Sequence, residues 1–254
     1  MDIRILGCSG GIGVGLATTS MAIDEDILID GGTGLGELSL DEMAAVRHIF
    51  LTHSHLDHIA GLPMLVDSIF ERIRTPIVVH GRPETLAALR EHIFNWVVWP
   101  DFSKLPNAER PVLRFEEIHP GQVVELEGRR IEAIAVNHVV PCIGYRIEAN
   151  GKAFAFSGDT TTTDHFWEVL NGYDQLDLLV AECAFPNREL ELSRMAYHYC
   201  PQLLAADLAK LRHRPQLYLS HLKPGMEAQI LSECAEMIEG FPLRLLSGGC
   251  RFQL

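Results

Sequence analysis

The chain has 254 residues, 47% of them hydrophobic and 22% charged, with a formal net charge of −13. This length and balance fit one large α/β domain over residues 1–254 with a full core, and no apolar run approaches the length of a membrane span. The acidic surplus argues against a surface built to grip a long polyanion, so nucleic acid is not the expected partner.

Residues 2–6 read as a first strand, and the start lacks the basic segment, long apolar core and small-residue cleavage site of a secretory signal, which makes the cytoplasm the expected compartment. Gly7-Cys8-Ser9-Gly10-Gly11-Ile12-Gly13-Val14-Gly15 follows. A dinucleotide-binding fingerprint needs a helix after such glycines, whereas residues 18–23 and 27–29 alternate like two more strands, so the glycines read as a flexible loop near a site. Asp30-Gly31-Gly32 closes that hairpin, and residues 36–45 are expected to form a helix leading to a short buried strand at 48–51.

Directly after that strand come His53, His55, Asp57 and His58, three imidazoles and a carboxylate within six residues, followed by a helix expected over 59–70. The cluster falls at the carboxyl end of a strand, where open α/β sheets bind ligands. His53 and His55 flank one residue and can grip one cation together, while Asp57 and His58, displaced around the turn, are better placed for a second. Imidazole nitrogen and carboxylate oxygen suit zinc, and also manganese or iron. A polar turn that is merely rich in histidine is the alternative, and this density of ligand types beside an aspartate outweighs it. Asp30 is expected to brace the cluster rather than to ligate.

Further along, a strand is predicted at 77–80 and a helix at 83–94, with proline in its first turn and Leu86, Leu89 and Ile93 on one face. Residues 95–111 then carry Trp96, Trp99, Pro100, Phe102, Pro106 and Pro111 without a period, which fits a lid over the site, a homodimer contact or a cap on the core. Runs at 112–118, 122–125, 131–136, 143–147 and 153–156 predict a β-meander. The strand at 131 ends on Asn137-His138, that at 153 on Ser157-Gly158-Asp159, that at 176–181 on Glu182, and that at 217–219 on Ser220-His221. Helices are expected at 203–211 and 227–239, with a last strand near Leu243. The six cysteines form no Cys-x-x-Cys pair, which fits reduced, mostly buried thiols rather than a disulfide framework or a structural zinc cluster.

The order His53-x-His55-x-Asp57-His58, then His138, Asp159 and His221, each after a strand, resembles the metallo-β-lactamase superfamily over nearly the whole chain. The resemblance implies a four-layer αββα sandwich with a binuclear site at one edge. It implies that His53, His55 and His138 hold one divalent ion, that Asp57, His58 and His221 hold the second, and that Asp159 bridges both. An aspartate at 159, where the β-lactam hydrolases carry cysteine, speaks against β-lactam turnover. Within the superfamily, His53 to Leu62, Tyr197-His198-Tyr199-Cys200-Pro201 and Ser220-His221-Leu222-Lys223-Pro224 are similar to the signatures of class II cyclic-nucleotide phosphodiesterases. The chain departs from them at Pro63 to Asp67 and at Tyr199-Cys200.

Two cations roughly 3.5–4 Å apart can lower the pKa of a shared water toward ~7 and aim the resulting hydroxide at phosphorus. With the resemblance at residues 53–62, this chemistry implies hydrolysis of a small phosphodiester, cyclic AMP or cyclic GMP first, to the 5′-nucleotide, with two divalent ions, zinc before manganese or iron. Besides Asp57, the catalytic candidates are His198 and Glu182: an imidazole held by a carboxylate can protonate the leaving oxygen, and the alternative in which His198 merely caps the helix that follows it is the weaker one. The rivals are ribonuclease Z, whose family typically adds a basic arm not visible here, and an arylsulfatase or thioester hydrolase of the same fold.

Overall fold

A computed structural model describes all of residues 1–254. The first sheet takes β1 (Asp2–Gly7), β2 (Ser20–Ile23), β3 (Ile27–Ile29), β4 (His48–Phe50), β5 (Ile77–Gly81) and β6 (Leu113–Glu117). The second takes β7 (Val123–Leu126), β8 (Arg129–Val136), β9 (Cys142–Ala149), β10 (Lys152–Phe156), β11 (Leu178–Glu182), β12 (Gln216–Ser220) and β13 (Leu243–Leu245), and β14 (Arg251–Gln253) returns to the first. The orders are β14-β1-β2-β3-β4-β5-β6 and β13-β12-β11-β10-β9-β8-β7. Both sheets are mixed. β3 to β6 run parallel in one and β10 to β13 in the other, while the remaining neighbours are antiparallel.

Three apolar layers account for the stacking. Ile5, Ile29, Phe50, Tyr145, Phe156 and Val180 belong to the cluster between the sheets. Leu28, Ile49, Leu62, Leu65 and Leu86 cover the outer face of the first sheet, and Phe166, Trp167, Leu179, Leu204 and Ile230 that of the second. The result is a helix–sheet–sheet–helix sandwich. Parallel strands covered on both faces read as unbroken apolar runs, which explains why 178–181 and 49–51 were legible as strands.

Several elements differ from the sequence expectation. Residues 36–45 are not one helix: a 3₁₀ turn at Thr33–Glu37 stops, and Ser39 restarts an α-helix at Leu40–Ala45 by exchanging side-chain hydrogen bonds with Glu42. The helix expected at 59–70 is a turn, Leu56–Ile59, and a second helix, Leu62–Ser68, broken at Gly61, so Asp57 and His58 sit in helical backbone. The meander holds for β7 to β10, but the run at 112–118 is β6, the parallel edge of the other sheet. The helices at His165–Asn171 and Leu190–Met195 and strand β14 have no counterpart in the sequence expectation.

Residues 95–111 do not close over the site. Leu113 N–H donates to Phe102 O and Val112 N–H to Leu105 O, and Phe102 packs on Phe70 and Phe94, at the amino-terminal end of β6. The His53 loop leaves the carboxyl end of β4, which runs parallel to β6 with β5 between them, and so lies at the opposite pole; the lid reading is corrected. Phe102 is a core cap, while Trp96, Val97 and Val98 remain exposed. No helix is long and apolar enough to cross a membrane.

Candidate metal centre

The parallel strands of both sheets end at the same pole, and their loops bring the polar residues together. The loop after β4 carries His53 and His55 and enters the turn holding Asp57 and His58; β8, β10 and β12 end just before His138, Asp159 and His221. Potential ligand atoms of His53, His55, His138 and Asp159 lie within 4.8 Å of one another, as do those of Asp57, His58, Asp159 and His221. The groups share Asp159. His53 Nε2 is 3.6 Å and His58 Nε2 3.3 Å from Asp159 Oδ2, and His221 Nδ1 is 3.2 Å from Asp159 Oδ1.

The backbone is held in costly conformations to achieve this. Asp30, Tyr197 and His221 all adopt left-handed φ values of 58°, 55° and 61°, each costing on the order of 1–3 kcal/mol in a residue with a Cβ. Each is restrained. His221 N–H donates to Cys8 O (2.7 Å), and a Cβ on Gly10 would run into the His221 carbonyl, so the glycine loop packs directly on this histidine. Asp30 is fully buried and accepts from Thr52 N–H (2.8 Å) and from His58 Nδ1 (2.7 Å). It is a brace, and it turns His58 Nε2 toward Asp159. Tyr197 O accepts from His138 Nδ1 (3.0 Å), which turns His138 Nε2 into the cluster, 3.2 Å from His55 Nδ1.

Four atoms test whether the cluster suits a cation. His53 Nε2, His58 Nε2, Asp159 Oδ1 and His221 Nδ1 are buried with no hydrogen-bond partner. Unsatisfied buried polar atoms cost about 1–3 kcal/mol each and are rare in native proteins. Here they converge, and all are ordinary ligand atoms for a first-row divalent ion, so the residues fit one.

Protonation follows the same logic. Burial pushes His53 well below its ordinary value, His138 down to about 4 and His221 to about 3, which keeps their lone pairs available. Burial would raise Asp159, but the neighbouring His221 and His58 hold its carboxyl well below the usual range. His58 goes the other way: burial opposes its proton, but Asp159 and Asp30 raise it well above 6.5.

Beside the ligand groups, and in neither, lies His198, 7% exposed. Its Nδ1 donates to Glu182 Oε1 (2.8 Å), and its ring stacks on His221 (5.1 Å, 16°) and meets His138 edge-on (5.0 Å). His80, His92, His119, His165 and His213 fall outside both groups. Thr52, which donates to Asp30 and lies 3.0 Å from His53 Nδ1, and the Tyr197 carbonyl are not among the site residues expected from the sequence. No motif signals a backbone carbonyl, and only a left-handed tyrosine in the fold exposes its role.

A two-sheet sandwich with a histidine–aspartate cluster at its common edge defines a class of hydrolases. The β-lactamase superfamily domain model matches residues 25–222, and the chain belongs to that family. A probable 3′,5′-cyclic-nucleotide phosphodiesterase of Yersinia pestis is 27% identical over 207 residues, covering 72% of this chain and 59% of the relative, so the match spans under two thirds of that protein. A ribonuclease Z of Bradyrhizobium sp. (strain ORS 278) is 27% identical over 263 residues, covering 82% of this chain and 83% of the relative. Unliganded yeast PDE1 superposes with a TM-score of 0.83 at 20% identity over 100% of this chain and 99% of that one. The short form of human tRNase Z superposes with a TM-score of 0.70 at 18% identity over 100% and 99%. At such identities the structural likeness establishes the fold.

Proposed function

We propose that the chain hydrolyses phosphodiesters, and that its first substrate is a 3′,5′-cyclic nucleotide such as cyclic AMP or cyclic GMP, opened to the 5′-nucleotide. The observation that carries this reading is the pair of ligand groups sharing Asp159 with an uncommitted imidazole, His198, against them. In this reading His53, His55, His138 and Asp159 hold one divalent ion and Asp57, His58, His221 and Asp159 the other, with zinc the first choice and manganese or iron alternatives for the same donors. Such ions, when bound, supply positive charge for phosphate oxygens and lower the pKa of water.

The remaining work falls to side chains. His198 is the proton donor: Glu182 occupies its Nδ1 and leaves Nε2 to meet the departing 3′-oxygen. Asp57 keeps 29% of its side chain exposed, whereas Asp159 keeps 2%, so Asp57 is the site carboxylate that reaches solvent. It orients the attacking water and takes up its proton. His138, His198 and His221 form one wall against which the phosphate is aligned, and that fixed geometry replaces the entropy cost of assembling the reactants.

A ribonuclease Z-like activity on tRNA 3′ ends is the second reading, favoured by the longer match to the Bradyrhizobium relative and opposed by the net charge of −13. One panel separates them: cyclic AMP, cyclic GMP, bis(p-nitrophenyl) phosphate, a precursor tRNA, an aryl sulfate and a thioester, each with metal-replete protein. Turnover of a cyclic nucleotide and of the aryl phosphodiester is expected. Cleavage of the precursor tRNA alone selects the second reading, and turnover confined to the sulfate or thioester overturns both.

A further inference from the structure

The motif Ser220-His221-Leu222-Lys223-Pro224 ends in a cation that the ligand scheme leaves unused. Lys223 is half-buried, yet it forms no ion pair in a chain with 34 acidic residues. Its ammonium donates to a single partner, Gly10 O, at 2.9 Å. That partner is fixed. Gly10 N–H donates to Leu222 O (3.0 Å), a side chain at Gly10 would collide with the His221 carbonyl, and one at Gly11 would press on Pro224. The Lys223 N–H donates to Ala184 O (3.1 Å), which ties the lysine's own backbone to the loop after β11. The ammonium is therefore held by rigid backbone, with two of its three N–H bonds unassigned.

Its surroundings point to a ligand. The Lys223 ammonium lies 5.8 Å from the centre of the Phe185 ring, and that ring lies 5.8 Å from the His198 ring. Phe185 is partly exposed. His198, Phe185 and Lys223 thus form a continuous patch beside the metal ligands, made of a proton donor, an aromatic face and an uncompensated cation. An ammonium whose one hydrogen-bond partner is a neutral carbonyl has N–H groups left for an anion, and a charge-assisted hydrogen bond to one is the strong kind.

Resting on the phosphodiester reading above, we propose that Lys223 and Phe185 form a substrate subsite next to the metal ligands: Lys223 binds an anionic phosphate oxygen, and Phe185 packs against the organic group the phosphate carries. A flat, uncharged ring such as a nucleobase suits the Phe185 face. The lysine favours anionic esters over neutral ones without touching the metals.

The test compares Lys223→Gln, which keeps an N–H donor but removes the charge, with Lys223→Arg, which keeps the charge. Bis(p-nitrophenyl) phosphate turnover, calorimetric affinity for inorganic phosphate and metal content are measured on metal-replete protein. Lys223→Gln is expected to raise KM and the phosphate dissociation constant roughly 10–100-fold, the range of one lost charge-assisted hydrogen bond. The fall in kcat should be smaller, metal content should be unchanged, and Lys223→Arg should restore most of the affinity. Unchanged KM and phosphate affinity in Lys223→Gln overturns the proposal, and so does loss of metal, which would make Lys223 only a clamp on the His221 loop. If the wild type cleaves no phosphodiester, the functional reading fails, and the phosphate affinities still decide whether Lys223 is an anion site.

Discussion

Glu182 is completely buried, and its two oxygens accept four hydrogen bonds. Oε1 takes Thr160 N–H (2.9 Å) and His198 Nδ1 (2.8 Å), and Oε2 takes Ala184 N–H (3.1 Å) and Tyr199 N–H (3.3 Å). One carboxylate thereby ties the Asp159 loop, the loop carrying Phe185 and the His198 loop into a single piece. Burial raises its own pKa, and the imidazole it holds opposes that rise. For His198 burial works against the proton, but Glu182 outweighs it and lifts the group above 6.5. In the proposed role of proton donor His198 must carry its proton, so kcat on a cyclic nucleotide is expected to be sustained past pH 6.5 and to fall as pH rises through the elevated value. The contribution of this pair to stability has the same sign, full below the unfolded value and lost on the alkaline side. His198→Ala should lower kcat on a cyclic nucleotide about 10²–10⁴-fold. It should cost less on bis(p-nitrophenyl) phosphate, whose leaving group needs little protonation, and it should leave metal content intact. Equal losses on both substrates, or a lost metal ion, would remove the role.

The break between the Leu56–Ile59 turn and the Leu62–Ser68 helix shows how an element positions the site. A continuous helix through this stretch would carry His58 round with its own pitch. Instead Gly61 N–H donates to Gly31 O (2.8 Å), and Gly31 N–H donates to His58 O (2.6 Å), so the chain is stitched to the turn that follows Asp30. The approach is too close for a side chain, because a Cβ at Gly61 would overlap the Gly32 carbonyl. That contact is with backbone, which cannot swing aside. Gly61→Ala is expected to cost about 1–3 kcal/mol, as overpacking does elsewhere, and to displace His58 from the Asp159 side. Denaturant unfolding read together with metal content checks both parts; a variant of wild-type stability carrying full metal would show that the turn yields.

At the scale of the molecule the two sheets are joined at both poles. The histidine–aspartate cluster joins one. At the other, Arg129 at the start of β8 reaches across to Asp26 and Asp24 of the first sheet's hairpin, with Nη2 2.9 Å from Asp26 Oδ2. Arg129 is 6% exposed. Burial would raise Asp26, but the hydrogen-bonded guanidinium holds it below its ordinary 3.8. A depressed carboxylate stabilises the fold above its unfolded value, and the contribution disappears as pH falls through the folded one. Arg129→Met should therefore cost about 1–3 kcal/mol near neutrality and less at pH 3, a narrowing that urea titrations at both pH values would detect. A penalty that did not shrink in acid would assign the loss to packing of the arginine stem.

Much of this site was written in local sequence. His53, His55, Asp57 and His58 are neighbours in the chain, and His138, Asp159, Glu182 and His221 each follow an apolar run, so strand periodicity alone located them at strand ends. Covering both faces of the parallel strands made those runs easy to see. What only the tertiary structure decided depends on contacts between distant segments. Leu113–Glu117 looks like any meander strand, and only its pairing with β5 assigns it to the other sheet. The aromatic stretch 95–111 has a lid's composition, but the direction of β5 and β6 carries it to the far pole. The Tyr197 carbonyl and Lys223 acquire meaning from partners many residues away, His138 and Gly10, and the brace expected of Asp30 gains its partner, His58, only in the fold. Periodicity reports which face of a segment is buried, whereas hydrogen bonds across long loops are set by where the sheets bring those segments, and no local pattern encodes that.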